Sequence, residues 1–263
     1  MNISLEDYEK LDPKCTIEVE GKKIIFQTPN SVTKWRVDTL FTKEPHTIDW
    51  LNEIGPKETL LDIGANVGMY SIYAGAVRGA NVIALEPESQ NYSLLNMNIR
   101  LNKLDHLIAA YCIGVSDKDT FDYIFMGNLS AGDGNHAVGE PLNMDLQSFS
   151  ENIGFAQGCI TYKIDSLVED NKLPVPDYVK IDVDGFEHKV VEGAKKTLRN
   201  KKVKSVIIEM NPKLQEHLAA IEQLKNLGFK FSQDQVDKAA ENKTGVFKGM
   251  SEYVFRRWIT CRI

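Results

Sequence analysis

The chain has 263 residues, 43% of them hydrophobic and 26% charged, a balance that fits a globular protein with room for one large domain, alone or with an appendage. A formal net charge of −6 argues against a partner held through phosphates, so no nucleic acid is expected. No apolar run approaches the roughly 18 residues of a membrane helix, and Met1 to Lys10 is too acidic and polar for a signal peptide, so the expectation is a cytoplasmic chain without a membrane span. Cys15, Cys112, Cys159 and Cys261 are far apart and form no C-x-x-C pair, which points to neither a zinc site nor a disulfide framework.

Residues Cys15 to Gln27 alternate as Ile17, Val19, Ile24 and Phe26 around Glu20-Gly21-Lys22, which predicts a β-hairpin ahead of the main fold. Lys43 to Ile54 carries Ile48, Trp50, Leu51 and Ile54 at helical spacing and ends at Gly55-Pro56. Residues 1–55 therefore read as an appendage and 56–263 as the principal domain. Strands are expected at Glu58–Asp62, Val82–Glu86, Leu107–Ile113, Tyr178–Asp182, Ser205–Met210, Lys230–Ser232 and Glu252–Trp258, with helical patterns between most of them. That alternation predicts an α/β fold whose mostly parallel sheet holds its ligand beyond the C-terminal strand ends. The last two strands are joined by a polar stretch, Gln233 to Met250, with no helical pattern of its own, and so should pair antiparallel. Residues 127–158, rich in glycine and with one short amphipathic piece around Leu142 to Phe149, read as a surface excursion that caps the substrate. The basic run from Lys195 to Lys204 suits a solvated helix end.

Chemistry concentrates at two strand ends. Thr59 to Ile63 is an apolar run that breaks into Asp62-Ile-Gly64-Ala-Asn66-Val-Gly68 before helical spacing resumes at Met69. Gly64 and Gly68 let the backbone approach a ligand, and Asn66 tolerates positive φ. Asp62 would repel a pyrophosphate but suits an amino-acid ammonium, directly or through water. Glu86, at the end of the next strand, is placed to accept hydrogen bonds from both hydroxyls of a ribose. An ammonium, a ribose and no phosphate describe S-adenosylmethionine and its product S-adenosylhomocysteine. The dinucleotide pattern G-x-G-x-x-G is absent, which disfavours a nicotinamide oxidoreductase.

The second segment runs from Asp177 to Ala194. Asp182 and Asp184 share a face if the chain stays extended, Gly185 allows a turn, and Glu187 and His188 open the following helix. Glu209 and Asn211 stand at the next strand end. Neighbouring carboxylates raise one another's proton affinity, which suits a general base, or they hold a divalent cation; Mg²⁺ on Asp182, Asp184 and Glu209 would act as a Lewis acid on an acceptor hydroxyl.

Taken together, Asp62 to Gly68, Glu86-Pro87 with Asn91 and Asn98 downstream, Gly114-Val115-Ser116-Asp117, and Lys180 to His188 followed by Glu192-Gly193-Ala194 resemble the FkbM-type S-adenosylmethionine-dependent methyltransferases of class I. The resemblance extends over roughly Thr28 to Arg256, and Thr33 to Thr39 with Lys43-Glu44-Pro45 looks like the segment that precedes the cofactor domain in that family. It implies a Rossmann-like, seven-stranded, mostly parallel sheet with helices on both faces and an antiparallel last strand. It also implies that Asp62, Gly64, Asn66 and Gly68, with Tyr70 and Ser71 beside them, hold the methionine half. Glu86 and Pro87 would face the ribose and Gly114, Val115, Ser116 and Asp117 the adenine edge, while Arg36, Thr39 and Glu44 complete the cofactor carboxylate and acceptor side. Asp182, also counted among the cofactor contacts, is the first candidate for the general base, with His188, Asp184 or Glu209 as alternatives and Glu187 and Asn211 in the same mouth. The implied reaction is O-methylation of a sugar, a glycan precursor or a secondary metabolite, as in polysaccharide or capsule biosynthesis. A small phosphorylated or amine metabolite as acceptor, or a cofactor-binding protein without catalysis, are the competing expectations, and a homo-oligomer stays open.

Overall fold

The computed structural model describes the chain apart from residues 1–2, 135, 149–152, 171, 242, 244–247 and 258–263. A short helix α1 (Leu5–Glu9) precedes a hairpin of β1 (Lys14–Val19) and β2 (Lys22–Gln27), registered from Lys14↔Gln27 to Val19↔Lys22. Its two-residue turn places Glu20 and Gly21 at φ 50° and 74°, the left-handed pair that matches strand twist. Next come α2 (Ser31–Asp38) and α3 (Pro45–Leu51). α2 has little apolar periodicity, and its start is set by a capping box: the Asn30 side chain accepts the Thr33 N–H, and the Thr33 hydroxyl accepts the Asn30 N–H.

The chain continues through β3 (Thr59–Ile63), α4 (Met69–Tyr73) with a π-helical turn at Ala74–Arg78, β4 (Asn81–Leu85), α5 (Ser89–Leu101) and β5 (Ile108–Tyr111). β6 (Gly114–Val115), β7 (Thr120–Met126), β8 (His136–Val138), β9 (Phe155–Tyr162) and α6 (Ile164–Glu169) follow. The last part comprises β10 (Tyr178–Ile181), α7 (Glu187–Gly193), α8 (Lys195–Arg199), β11 (Ser205–Met210), α9 (Gln215–Asn226), β12 (Phe229–Lys230), α10 (Gln233–Glu241) and β13 (Ser251–Arg257).

The main sheet has the order β12-β13-β11-β10-β3-β4-β5, with β11 to β5 parallel and β13 antiparallel between β11 and β12. Every residue of β3 and β10 is buried, which is why these strands read as apolar runs rather than as alternations. Leu60, Tyr73 and Trp50 belong to one apolar layer, Leu61, Ile63 and Val179 to the other. Ile24, Phe26 and Val37 lie in the first layer, so residues 1–55 share a core with the sheet rather than owning one. The chain winds outward from β3 to β5 and then returns to β10, so the order reverses between β3 and β10. Their C-terminal ends open the crevice where such sheets bind ligands.

Two regions differ from the sequence expectation. α10 forms within the stretch expected to lack a helix; it buries only Val236 and Ala239, too little apolar spacing to announce itself, and is held to β13 by Gln235 and by the Ser251 hydroxyl donating to the Val236 carbonyl. The glycine-rich excursion is part of a second, four-stranded sheet ordered β6-β9-β7-β8. Around Leu142 the chain makes a turn closed by a bridge from Leu142 to Ser148, with Phe149 outside the described residues. The basic run is paired at the surface, as in Lys196 with Glu169 and Lys202 with Asp177. Among the described residues no helix is long and apolar enough to cross a membrane.

Candidate functional site

A cavity of ≈ 460 Å³ opens at the ends of β3, β4 and β10, within the size range of small-molecule sites. Its floor is the turn after β3. The Gly64 and Ala65 N–H groups donate to the Leu85 carbonyl, and Asn66 and Gly68 take φ 51° and 86°. Gly64 and Asn66 line the cavity, but the glycines answer chiefly to the protein. A Cβ on Gly64 would lie 1.8 Å from the Asp182 carbonyl oxygen, and one on Gly68 would lie 2.4 Å from Leu95. Gly68 is absent from the cavity lining.

Glu86 stands at one end of the cavity, 5% exposed. Its Oε2 accepts the Asn66 N–H at 2.7 Å and its Oε1 the Glu88 N–H at 2.9 Å, so each oxygen keeps a lone pair for a ligand hydroxyl. Burial pushes its pKa up to about 7 against the pull of those two N–H groups. Beside it a small apolar slot is lined by Leu85, Pro87, Ile113, Val115, Ser116 and Val138. Of the turn expected at the adenine edge, Val115 and Ser116 line this slot, while Gly114 packs on Thr161 and Asp117 accepts the Ser116 hydroxyl.

Segment 130–134 forms a wall. The Asp133 carbonyl accepts the side-chain amides of Asn66 at 2.7 Å and Asn91 at 3.2 Å, Gly132 N–H donates to Asn91, and Arg36 Nε donates to the Gly132 carbonyl. α2 presents Val32, Trp35 and Arg36, spaced i, i+3 and i+4, to the same cavity.

Asp184, a non-glycine residue at φ 54°, lines the same cavity. Its Oδ2 accepts the His136 N–H at 3.3 Å, and burial, reinforced by the Asp182 charge, pushes its pKa up to about 6. The turn that presents it is fastened by Glu187, whose carboxylate accepts the Val183 and Gly185 N–H groups. Glu187 is 1% exposed and is not among the residues lining this cavity; burial raises its pKa to about 8.

Beneath the turn lies a lattice of charges. Lys180, 4% exposed, sits 3.1 Å from Asp182 Oδ2 and 3.6 Å from Asp62 Oδ1. Burial opposes its charge, but Asp182, Asp62 and Glu44 outweigh burial and raise its pKa. Asp62 accepts the Ser71 hydroxyl at 2.6 Å and is 1% exposed. Glu44 accepts the Tyr70 hydroxyl and pairs with Lys43. Glu209 reaches the cavity but pairs with Lys243 at 2.7 Å.

The structure thus brings Glu86, Asp182, Asp184, Glu209 and Arg36 to one cavity. Thr39 and Tyr70 border a smaller hollow below it. His188 packs on Phe186 and His217 instead, and Asn211 donates to Asp145, both away from the cavity lining. Asp182, Asp184 and Glu209 do not fit a shared magnesium ion: two are paired with lysines, the third holds a backbone N–H, and among the described residues no three His, Cys, Asp or Glu side chains are grouped to hold a metal.

Sequence reasoning missed Lys180, Lys43, Lys243, Trp35 and His136, all at or below the cavity. His136 is distinctive because its Nε2 is buried without a partner. Only Lys180 carried a readable signal: a lysine inside a fully buried strand requires carboxylates beside it.

The family model described as Methyltransferase FkbM domain matches residues 62–231. The hexuronic acid methyltransferase AglP of Haloferax volcanii is 26% identical over 194 residues, 74% of this chain and 73% of that protein. The crystal structure of Methyltransferase FkbM from Methylobacillus flagellatus covers 86% of this chain at 13% identity with a TM-score of 0.49, and the chain spans about half, 53%, of that structure's length. The crystal structure of M. jannaschii TYW2 in complex with AdoMet covers 94% of this chain and 88% of that structure's chain at 12% identity and a TM-score of 0.41. With the match running from the glycine turn through the second carboxylate segment to β12, the chain belongs to the FkbM family of S-adenosylmethionine-dependent methyltransferases.

Proposed function

We propose that this methyltransferase acts on a hydroxyl of a sugar or glycan precursor and that Asp184 receives the hydroxyl proton. The observation that carries the reading is the cavity's lining: a ribose-competent carboxylate and, in the same cavity, a partly buried carboxylate with a pKa of about 6, near the operating pH that suits a general base. S-adenosylmethionine supplies an electrophilic methyl group on a positively charged sulfur. Glu86 holds the ribose hydroxyls, and the slot of Leu85, Ile113 and Val138 takes the purine. Segment 130–134 keeps water from the reacting atoms, and residues 127–158 serve as the acceptor cap. The acceptor oxygen attacks in line, the carbon–oxygen bond forming as the carbon–sulfur bond breaks, and its proton passes to Asp184. Positioning supplies most of the rate, because the leaving group is already activated.

A sugar acceptor is supported by the relative from Haloferax volcanii, a hexuronic acid methyltransferase, and by α2. The indole of Trp35, 47% exposed at the cavity, offers a flat apolar surface to the C–H face of a pyranose, and Arg36 lies beside it. The test is transfer of a labelled methyl group from S-adenosylmethionine to a panel of hexuronic acids, neutral sugars, nucleotide sugars and amines. Label on a sugar hydroxyl is expected. Transfer to amines alone would overturn the reading.

A further inference from the structure

We propose that Lys180 is an internal counter-ion that occupies the place where Asp62 would receive the cofactor's ammonium, and that this ammonium therefore goes to Asp182. In a strand-turn-helix cradle the acid ending the first strand is the obvious partner for an amino-acid ammonium. In this chain that acid already faces a cation, although its buried Oδ1 has no hydrogen-bond partner among the described residues. β10 runs beside β3 in the register Lys180↔Asp62, which sets the ammonium of Lys180 3.6 Å from Asp62 Oδ1, while Oδ2 accepts the Ser71 hydroxyl. Lys180 also lies 5.2 Å from the centre of the Tyr70 ring, so aromatic and carboxylate groups enclose the cation. Asp62 lines none of the hollows around the turn. A second ammonium brought to it would meet Lys180 first, and two like charges in a buried site repel strongly.

Asp182 has what Asp62 lacks. Its side chain is 32% exposed and borders the main cavity and the two hollows beneath it. Its Oδ2 accepts from Lys180 at 3.1 Å, and among the described residues its Oδ1, like Asp62 Oδ1, has no hydrogen bond; what sets Asp182 apart is its exposure. Gly64 packs so closely on the Asp182 backbone that no side chain fits between the turn and Asp182, and both residues line the main cavity. Across the hollow stand Arg36, whose Nε alone is engaged by the protein, and Lys43, a cationic side for the carboxylate of the same group. The other charges that face Asp182 are Glu209 from β11 and Asp184 from the next turn. Lys180 is thus a positioning residue: it stands against Asp62 and holds one oxygen of Asp182, leaving the other toward the cavity.

This assignment rests on the cofactor reading, and a pair of ligands separates the two. Calorimetric titration uses S-adenosylhomocysteine and 5′-methylthioadenosine, which keeps the nucleoside and thioether but lacks the amino-acid end. Asp182→Asn, at a partly exposed position, is expected to weaken S-adenosylhomocysteine by about tenfold or more and 5′-methylthioadenosine by no more than about twofold. Asp62→Asn is expected to keep the preference for S-adenosylhomocysteine. If the lost Asp62–Lys180 pair prevents folding, the double variant Asp62→Asn, Lys180→Met removes both buried charges and is expected to keep the preference too. A selective loss of S-adenosylhomocysteine in Asp62→Asn, with the preference retained in Asp182→Asn, would overturn the assignment. Failure of the unaltered protein to bind either ligand would overturn the cofactor site itself.

Discussion

Replacing Glu86 with alanine separates what this carboxylate does for the ligand from what it does for the chain. Its two oxygens hold the Asn66 and Glu88 N–H groups at 2.7 and 2.9 Å, so the variant loses the acceptors that fix both the glycine turn and the start of α5. Each buried donor left unpaired costs about 1–3 kcal/mol, at the lower end here because the cavity admits water to replace the carboxylate. The fold should therefore survive with a stability loss of about 2 kcal/mol. Binding suffers more. Two charge-assisted bonds to ribose hydroxyls, at about 1.5–3 kcal/mol each, amount to about 3–6 kcal/mol, or roughly 10²- to 10⁴-fold in Kd. The assay is calorimetric titration with S-adenosylhomocysteine, with thermal unfolding recorded on the same preparation. A folded Glu86→Ala protein that binds within about threefold of the unaltered one would refute the ribose role.

Asp184→Asn is expected to lower kcat by about 10²- to 10⁴-fold while S-adenosylhomocysteine affinity stays within about threefold; unchanged turnover would remove Asp184 from proton transfer. In the unaltered protein kcat should climb as pH rises through about 6, because the base works only when ionised, and a profile flat across that range would contradict the assignment. Gly64→Ala forces an L side chain to φ 76° and sets its Cβ 1.8 Å from the Asp182 carbonyl. Left-handed strain of roughly 1–2 kcal/mol and overpacking of about 1–3 kcal/mol predict a loss of roughly 2–5 kcal/mol in denaturant titration. Glu187 carries a pKa raised by burial from 4.5 to about 8, so the folded chain keeps a proton that the unfolded chain releases. That contribution is complete below 4.5 and disappears as pH rises through 8. The unfolding midpoint should fall over this range, and fall less in Glu187→Gln; equal slopes would show that Glu187 does not titrate there.

β3 and β4 were legible because central parallel strands are apolar throughout and end in glycine or proline, and Glu86 was legible because it directly follows one of them. Asp184 and Glu187 were readable as residue types at a strand-helix junction, but their division of labour was not. It depends on Asp184 adopting φ 54°, which turns one carboxylate to the cavity and leaves the other to accept N–H groups inside the turn. His188 seemed to belong to the mouth only because the rotation of α7 cannot be read from spacing; the helix turns it toward Phe186 and His217. The second sheet was hidden for a different reason. β7 sends Phe121 and Tyr123 outward, 85% and 57% exposed, so the polarity alternation that marks a half-buried strand is inverted.

Segment 130–134 is fastened by side chains from separate parts of the chain: Asn30 and Arg36 at α2, Asn66 in the glycine turn, and Asn91 on α5. None of these bonds is strong alone, at about 0.5–1.5 kcal/mol net, but moving the segment breaks them together. A ligand passing this segment would have to break them in one concerted local opening, which acts on the rate of exchange rather than on the affinity. Loosening Asn91 should then speed product release, so the same four polar residues would govern how often the enzyme can renew its cofactor.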